Sequence, residues 1–377
     1  VITSRAELDD AVASAIRVAR SSFGDGRLIV ERFIEQPRHI EVQVFGDAHG
    51  NVVHLFEREC SLQRRHQKVV EEAPAPGLPA DVRRRLVDAA VRGARSVGYL
   101  NAGTFEFIVG RDLQFYFLEV NTRLQVEHPV TECVTGLDLV AWQLRVAAGE
   151  ALPLRQEQLQ CNGHAVECRI YAEDPARDFM PAPGAVDVAR WPGGLRVEAG
   201  IGSGGRVPPF YDPMVAKLVA HGPDRASALA TLDQGLRETL LLGLTTNVGY
   251  LRRVLADPGV KMAQVHTRYL DDHAPRFVAA GGEARAVACA AILGVGRAAA
   301  DHPWTAGGSH GLADRASLDP QAPLGRVHLW LGEAAWQGTL QARTLHGFRV
   351  GVAGEAWEVE GKPDASGLWT GSVGAPT

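Results

Sequence analysis

TFEFIVGRDLQFYFLEVNTRLQVEHPVTE, residues Thr104–Glu132, carries more chemistry than any other stretch of the chain. Thr104–Val109 and Phe115–Val120 are β-rich runs, and Gly110-Arg111-Asp112-Leu113 between them reads as a hairpin turn. Symmetric closure of that turn sets Glu106 opposite Glu119, and strand alternation puts Asn121 on the same face. Two bare carboxylates ~4 Å apart repel by about 4 kcal/mol at an effective dielectric of ~20, so a cation belongs between them. Oxygen donors from Glu106, Glu119 and Asn121 suit Mg²⁺ or Mn²⁺ beside nucleotide phosphates. The competing reading is a solvent-facing hairpin edge guarded by charge.

The residues that follow favour the site. Arg123, Gln125 and Glu127 keep the same parity through RLQVE, before His128-Pro129 ends the run. A guanidinium, an amide and a carboxylate converging there would hold a small planar oxyanion, with Arg123 binding it bidentately and Glu127 taking its proton.

EVNTRLQVEHPVTE (Glu119–Glu132), together with ERECSLQRRHQKVVEEAPAP (Glu57–Pro76), resembles the biotin carboxylase component of biotin-dependent acyl-CoA carboxylases, methylcrotonyl-CoA carboxylase α subunits among them. The likeness runs from the first residues to about Arg276. It implies an α+β chain of ATP-grasp fold: a remnant of the lid domain over 1–33, the catalytic lobe over 34–153 and the biotin carboxylase C-terminal subdomain over 154–276. A small β-rich domain over 277–377 follows, with His302-Pro303-Trp304 resembling the linker module that docks a carboxyltransferase subunit.

The same likeness assigns roles. Lys68, Arg123, Gln125 and the Val126 amide would hold bicarbonate, Glu127 would be the base, and Arg169 in HAVECRIYAED would stabilise the biotin enolate. Glu31, His39, Gln63, His66, Ile108, Glu106 and Glu119 would contact ATP, and His66 also lies beside the bicarbonate lysine. Glu106, Glu119 and Asn121 would hold the metal. Read without the likeness, RRHQK is a solvated basic loop and Arg169 a surface partner of Glu167. The implied partners are a biotin carrier, a carboxyltransferase subunit and a second copy through the biotin carboxylase region. No Met-Lys-Met biotinylation triplet occurs, so the carrier is expected beyond Thr377 or on another chain. The chain opens without methionine and without the glycine-rich lid and the N-terminal domain of the family. A truncated start and an inactive fragment are therefore expected. Two other readings compete: a non-catalytic assembly fragment that docks the carboxyltransferase, and a different ATP-grasp ligase such as one making carbamoyl phosphate. CRIYAED and HQKVVEEAPAP speak against the latter.

Composition excludes some classes. With 377 residues, 46% hydrophobic and 22% charged, the chain can build two or three domains. A net charge of −5 argues against non-specific nucleic-acid binding, and no run is long enough for a membrane helix. Cys60, Cys133, Cys161, Cys168 and Cys289 have no metal-ligand spacing, and reduced thiols in a cytoplasmic protein are expected.

Periodicity supplies the elements. Ser4 and Glu7 form a capping box ahead of a helix with Leu8, Val12, Ala15, Ile16 and Ala19 on one face. Leu28–Phe33, Ile40–Phe45 and Asn51–Glu57 read as strands. Helices are expected over Asp81–Val97, with Leu86, Ala90, Ala94 and Val97 inward, and over Leu137–Ala148. Short strands follow at Ala165–Tyr171, Gly184–Arg190, Arg196–Glu198 and Met214–Ala220, then a helix with Leu229, Leu232, Leu236 and Leu240 on one stripe. Gly200–Gly205 imitates a phosphate loop, but no helix follows it, so it reads as a turn. Beyond Arg276, Ala279–Ala300 reads as a helix and Asp301–Leu324 as a linker. Val327–Leu331, Gln337–Ala342, Phe348–Val352 and Ala356–Glu360 read as strands.

Overall fold

The computed structural model describes residues 2, 4–65 and 67–278, and beyond them the backbone of five strands between 325 and 373. The chain divides into two compact units, Val1–Val278 and Ala279–Thr377. The expected helix over Ala279–Ala300 and linker over Asp301–Leu324 lie outside the described residues.

An eight-stranded sheet organises the first unit. Its strands are β1 (Arg38–Gly46), β2 (Val52–Arg64), β3 (Gln67–Ala73), β4 (Asn101–Val109), β5 (Phe115–Asn121), β6 (His164–Tyr171), β7 (Arg196–Ala199) and β8 (Met214–Gly222). They are ordered β7-β8-β6-β3-β2-β1-β4-β5, every neighbour antiparallel. The sheet thus crosses the 153/154 position, because β6 pairs with β3.

The two faces differ. Ile40, Val42 and Val44 alternate toward helix α2 (Ala80–Ser96) and pack with Leu86, Ala90, Phe105 and Phe107. On the same side Val166, Cys168, Leu218 and Ala220 pack with Leu229, Leu232 and Leu236 of helix α5 (Arg225–Glu238). Asp224 caps α5, its carboxylate accepting the Ser227 N–H at 2.8 Å. The opposite face presents Glu41, Gln43, Thr104 and Glu106. It lies under α3 (His128–Thr135), whose Val130 and Val134 meet Ala73, Ala165 and Val219, and under α4 (Leu139–Ala147), whose Leu139 and Trp142 pack with Phe45 and Leu55.

Several expected elements are corrected. Leu28–Phe33 forms no strand; Ile29 and Val30 are each 90% exposed. A strand needs a partner for its N–H and C=O groups, and none of the described residues supplies one. Helix α1 (Leu8–Phe23) buries none of its residues, so its apolar stripe faces no core among the described residues. The Ser4 hydroxyl donates to the Glu7 carboxylate at 2.8 Å instead of capping an amide, because a 3₁₀ turn at Arg5–Glu7 intervenes. The strand ending expected at Glu57 continues to Arg64 and pairs with β3, Arg64 opposite Gln67 and Gln63 opposite Lys68, while Arg65 at the turn is exposed. Val97, just past α2, is exposed. Leu240 leaves α5 at the extended Thr239 and enters the strand Leu240–Leu242.

In the second unit, Gly325–Leu331, Ala334–Arg343, Gly347–Val352, Glu355–Pro363 and Trp369–Val373 form one antiparallel meander in chain order. Among the described residues no helix is long and apolar enough to cross a membrane.

Candidate active site

Glu106 on β4 pairs with Glu119 on β5, although the turn does not close symmetrically. Val109 pairs with Phe115 and Phe107 with Phe117, so Leu118 is an extra residue. That one-residue bulge restores the pairing of the two acids. The Asn121 amide donates to Glu106 at 2.8 Å and to Glu119 at 3.3 Å, bridging the carboxylates. Glu106 and Glu119 supply carboxylate oxygens of the kind Mg²⁺ or Mn²⁺ takes, and Asn121 holds the two together through its N–H₂ group. Glu119 itself is exposed.

Glu106 also accepts from His39 Nε2 at 2.9 Å, Gln125 Nε2 at 2.9 Å and Lys68 Nζ at 3.1 Å. Burial pushes its carboxyl up, but His39 and Lys68 outweigh that and hold it well below the usual range. Lys68 spans three acids, reaching Glu41 Oε2 and Glu127 Oε1 at 2.6 Å each as well. Burial works against its charge, yet Glu41 and Glu127 keep the ammonium protonated far above its ordinary range.

Behind Lys68 lies Arg58, fully buried. It reaches Glu41 at 2.5 Å, Gln43 and Thr131 at 2.9 Å each, and the side-chain oxygen Oε1 of Gln125 at 3.0 Å. Burial opposes ionisation of Glu41, but Arg58 and Lys68 lower its carboxyl to about 2. The strand register forces this meeting: Glu41 pairs with Arg58 on one side and with Glu106 on the other.

Arg169, on β6, takes the far side of Glu127. Its Nη2 lies 2.9 Å from Glu127 Oε2, and Nε donates to Glu71 at 2.6 Å. The two oxygens of Glu127 are therefore held by two different cations, Lys68 and Arg169. Complete burial outweighs Arg169 and pushes Glu71 up to about 7. Glu167 pairs with Glu71 across the strands and is fully buried. Neither of its oxygens has a hydrogen-bond partner, and burial with Glu71 beside it raises its carboxyl well above normal.

The structure gathers His39, Lys68, Glu106, Gln125, Glu127 and Arg169 and leaves other expected residues aside. Arg123 is exposed and donates only to the carbonyl of Leu124 at 3.3 Å. Residues 122–127 are not strand, so strand parity does not carry past Asn121. Glu31 is exposed on the irregular segment before β1, Ile108 is half-buried on β4, and Gln63 is buried on β2. His66 lies outside the described residues. Arg169 pairs with Glu71 and Glu127, and so is not a surface partner of Glu167. The carbonyl of Val126, and not the amide expected to hold bicarbonate, is the group engaged by Lys217. Sequence reasoning missed Glu41, Arg58, Glu71 and Lys217. Glu41 and Gln43 carried a signal, as the polar residues between the inward Ile40, Val42 and Val44.

Two family profiles match. One, described as the carbamoyl-phosphate synthase L chain ATP-binding domain, covers residues 1–155; the other, the biotin carboxylase C-terminal domain, covers 167–272. The mitochondrial methylcrotonoyl-CoA carboxylase subunit alpha of Rattus norvegicus is 52% identical over 276 residues, covering 72% of this chain and 39% of that protein. A biotin carboxylase from a Nostoc species is 47% identical over 256 residues, covering 67% of this chain and 57% of its own length. The solved biotin carboxylase domain of a thermophilic 2-oxoglutarate carboxylase bound to bicarbonate superposes with a TM-score of 0.72 at 42% identity, covering 74% of this chain and 63% of that one. A Campylobacter jejuni biotin carboxylase gives 0.68 at 44% identity, with 72% and 61% covered. The chain thus spans well under two thirds of its curated relatives' length.

Proposed function

The chain belongs to the biotin carboxylase family through its first 272 residues, and from that premise we propose that it carries the catalytic core for ATP- and bicarbonate-dependent carboxylation of biotin on a carrier protein. The observation that carries the proposal is the double hold on Glu127, by Lys68 at 2.6 Å and Arg169 at 2.9 Å. Bicarbonate entering beside Lys68 would find an ammonium for its charge and a fixed carboxylate for its proton. Glu127 would take that proton as the bicarbonate oxygen attacks the γ-phosphorus of ATP and ADP leaves. The carboxyphosphate so formed would break to CO₂ and phosphate. The phosphate would accept the ureido N–H proton of biotin, and Arg169 would stabilise the enolate that attacks CO₂. A divalent ion held by Glu106, Glu119 and Asn121 would neutralise phosphate charge. His39, Gln63, Ile108 and Glu31 are the residues proposed to face the nucleotide, and His66 the nucleotide or bicarbonate. Arg123 would join the bicarbonate site by swinging in from solvent.

A carrier domain and a carboxyltransferase subunit are the proposed partners, the latter on residues 277–377, and a cytoplasmic setting is proposed for the four free cysteines among the described residues. In the full-length protein, Glu127→Gln should lower bicarbonate-dependent ATP cleavage by about 10²–10⁴-fold while nucleotide affinity is kept. Loss of ATP binding with no such drop would move Glu127 to the metal and sink this assignment.

A further inference from the structure

We propose that Lys217 is a positioning residue: with Glu198, Arg196 and Glu132 it clamps both sides of the turn that presents Glu127. Lys217 lies on β8 directly opposite Arg169 and is buried. Its Nζ donates to the Val126 carbonyl at 2.6 Å, fixing the peptide unit that joins Val126 to Glu127. The same Nζ lies 2.6 Å from Glu198 Oε2 on β7. Glu198 Oε1 accepts from Arg196 Nε at 2.8 Å, and Arg196 Nη1 reaches Glu132 Oε2 at 2.7 Å.

Glu132 sits on α3, the helix that begins at His128, one residue after Glu127. Its other oxygen accepts the Leu139 N–H at 2.8 Å. The chain of ion pairs therefore leaves β7 and β8 and closes on the carbonyl before Glu127 and on the helix after it. Within the turn two long backbone bonds, His128 N–H to the Gln125 carbonyl at 3.2 Å and Val130 N–H to the Glu127 carbonyl at 3.3 Å, are joined by the His128 ring Nδ1 on the Gln125 carbonyl at 2.8 Å. None of these holds the Val126 carbonyl, so the peptide unit that carries Glu127 takes its anchor from outside the turn. Lys217 supplies it without touching Glu127.

The catalytic consequence rests on the function proposed above; the clamp does not. In the full-length protein, Lys217→Met should speed hydrogen exchange over residues 125–130 while β6 and β8 stay protected. It should also lower kcat/KM for bicarbonate roughly 10–100-fold with KM for ATP unchanged. Glu198→Gln, which leaves Lys217 in place, should give the same pattern more weakly. Unchanged exchange over 125–130 overturns the clamp. Equally faster exchange across β6 and β8 overturns it too, since the lysine would then hold the sheet and not the turn. A parallel rise in KM for ATP and bicarbonate, with exchange confined to the turn, overturns the positioning of Glu127 alone. If the unsubstituted protein cleaves ATP independently of bicarbonate, the proposed function fails while the exchange result still decides the clamp.

Discussion

On the face of the sheet that meets α2 and α5, Ile40, Val42, Phe105, Cys168 and Leu218 fill space with hydrocarbon and thiol. On the opposite face, under α3, the same strands bury Glu41, Arg58, Glu71, Glu106, Glu167 and Arg169. The first face tolerates error by degrees, because each lost methylene costs a fraction of the total. The second does not, because the charges there, Glu167 apart, are held by named partners and removing one strands another. Such a face contributes little to net stability. It persists where a reaction needs fixed charge away from water.

The largest break in that contrast should come from Arg58→Met. Glu41 then loses its guanidinium, and about 3–5 kcal/mol of stability should go, read by urea unfolding. A loss below ~1 kcal/mol would mean that Lys68 alone satisfies Glu41. Leu232→Ala, on the buried stripe of α5, should cost about 2–5 kcal/mol by cavity formation while leaving substrate KM values unchanged. A shifted KM would show that the two faces are coupled.

Glu167→Gln sharpens the comparison through pH. The Glu167 carboxyl is raised in the folded state, so its contribution is intact below its ordinary value of about 4.5 and is lost as pH rises through the raised value. The amide mimics the neutral acid. The variant should match the parent near pH 4 and become the more stable of the two on the alkaline side, by thermal melts across pH. A constant difference at all pH values would show that Glu167 ionises normally. Smallest of all, Arg237→Ala removes an exposed i,i+4 pair with Asp233 and should change stability by only about 0.2–0.5 kcal/mol. A larger loss there would give surface ions a weight this fold otherwise reserves for the face under α3.

What the sequence made legible follows from distance along the chain. Glu106 and Glu119 are thirteen positions apart in one hairpin, so their meeting is legible locally even though the bulge at Leu118 that sets the pairing is not. Arg169 meets Glu71 only because β6 is inserted beside β3, a strand order that no local pattern encodes. Lys68 and Arg169 are legible through the motifs around them, whereas Glu41 sits on an expected strand without a motif and Arg58 lies one residue past the strand expected to end at Glu57. Arg123 stands in solvent for a different reason: strand alternation does not extend into residues 122–127, where the strand has already ended. Leu28–Phe33 has the composition of a strand and no neighbour to make it one.

The extra residue at Leu118 gives the hairpin one unit of slack between its tip and the two acids. Deleting Leu118 would straighten the ladder and still leave Glu119 across from Glu106. A residue lost from the tip could be absorbed by taking up the bulge, with Tyr116, Phe117 and Leu118 then opposite Val109, Ile108 and Phe107 and Glu119 still opposite Glu106. A tip over residues 110–114 shorter by one residue is therefore compatible with the same pairing of the carboxylates. A shortened tip that kept its metal dependence would be the sign that this slack had been used.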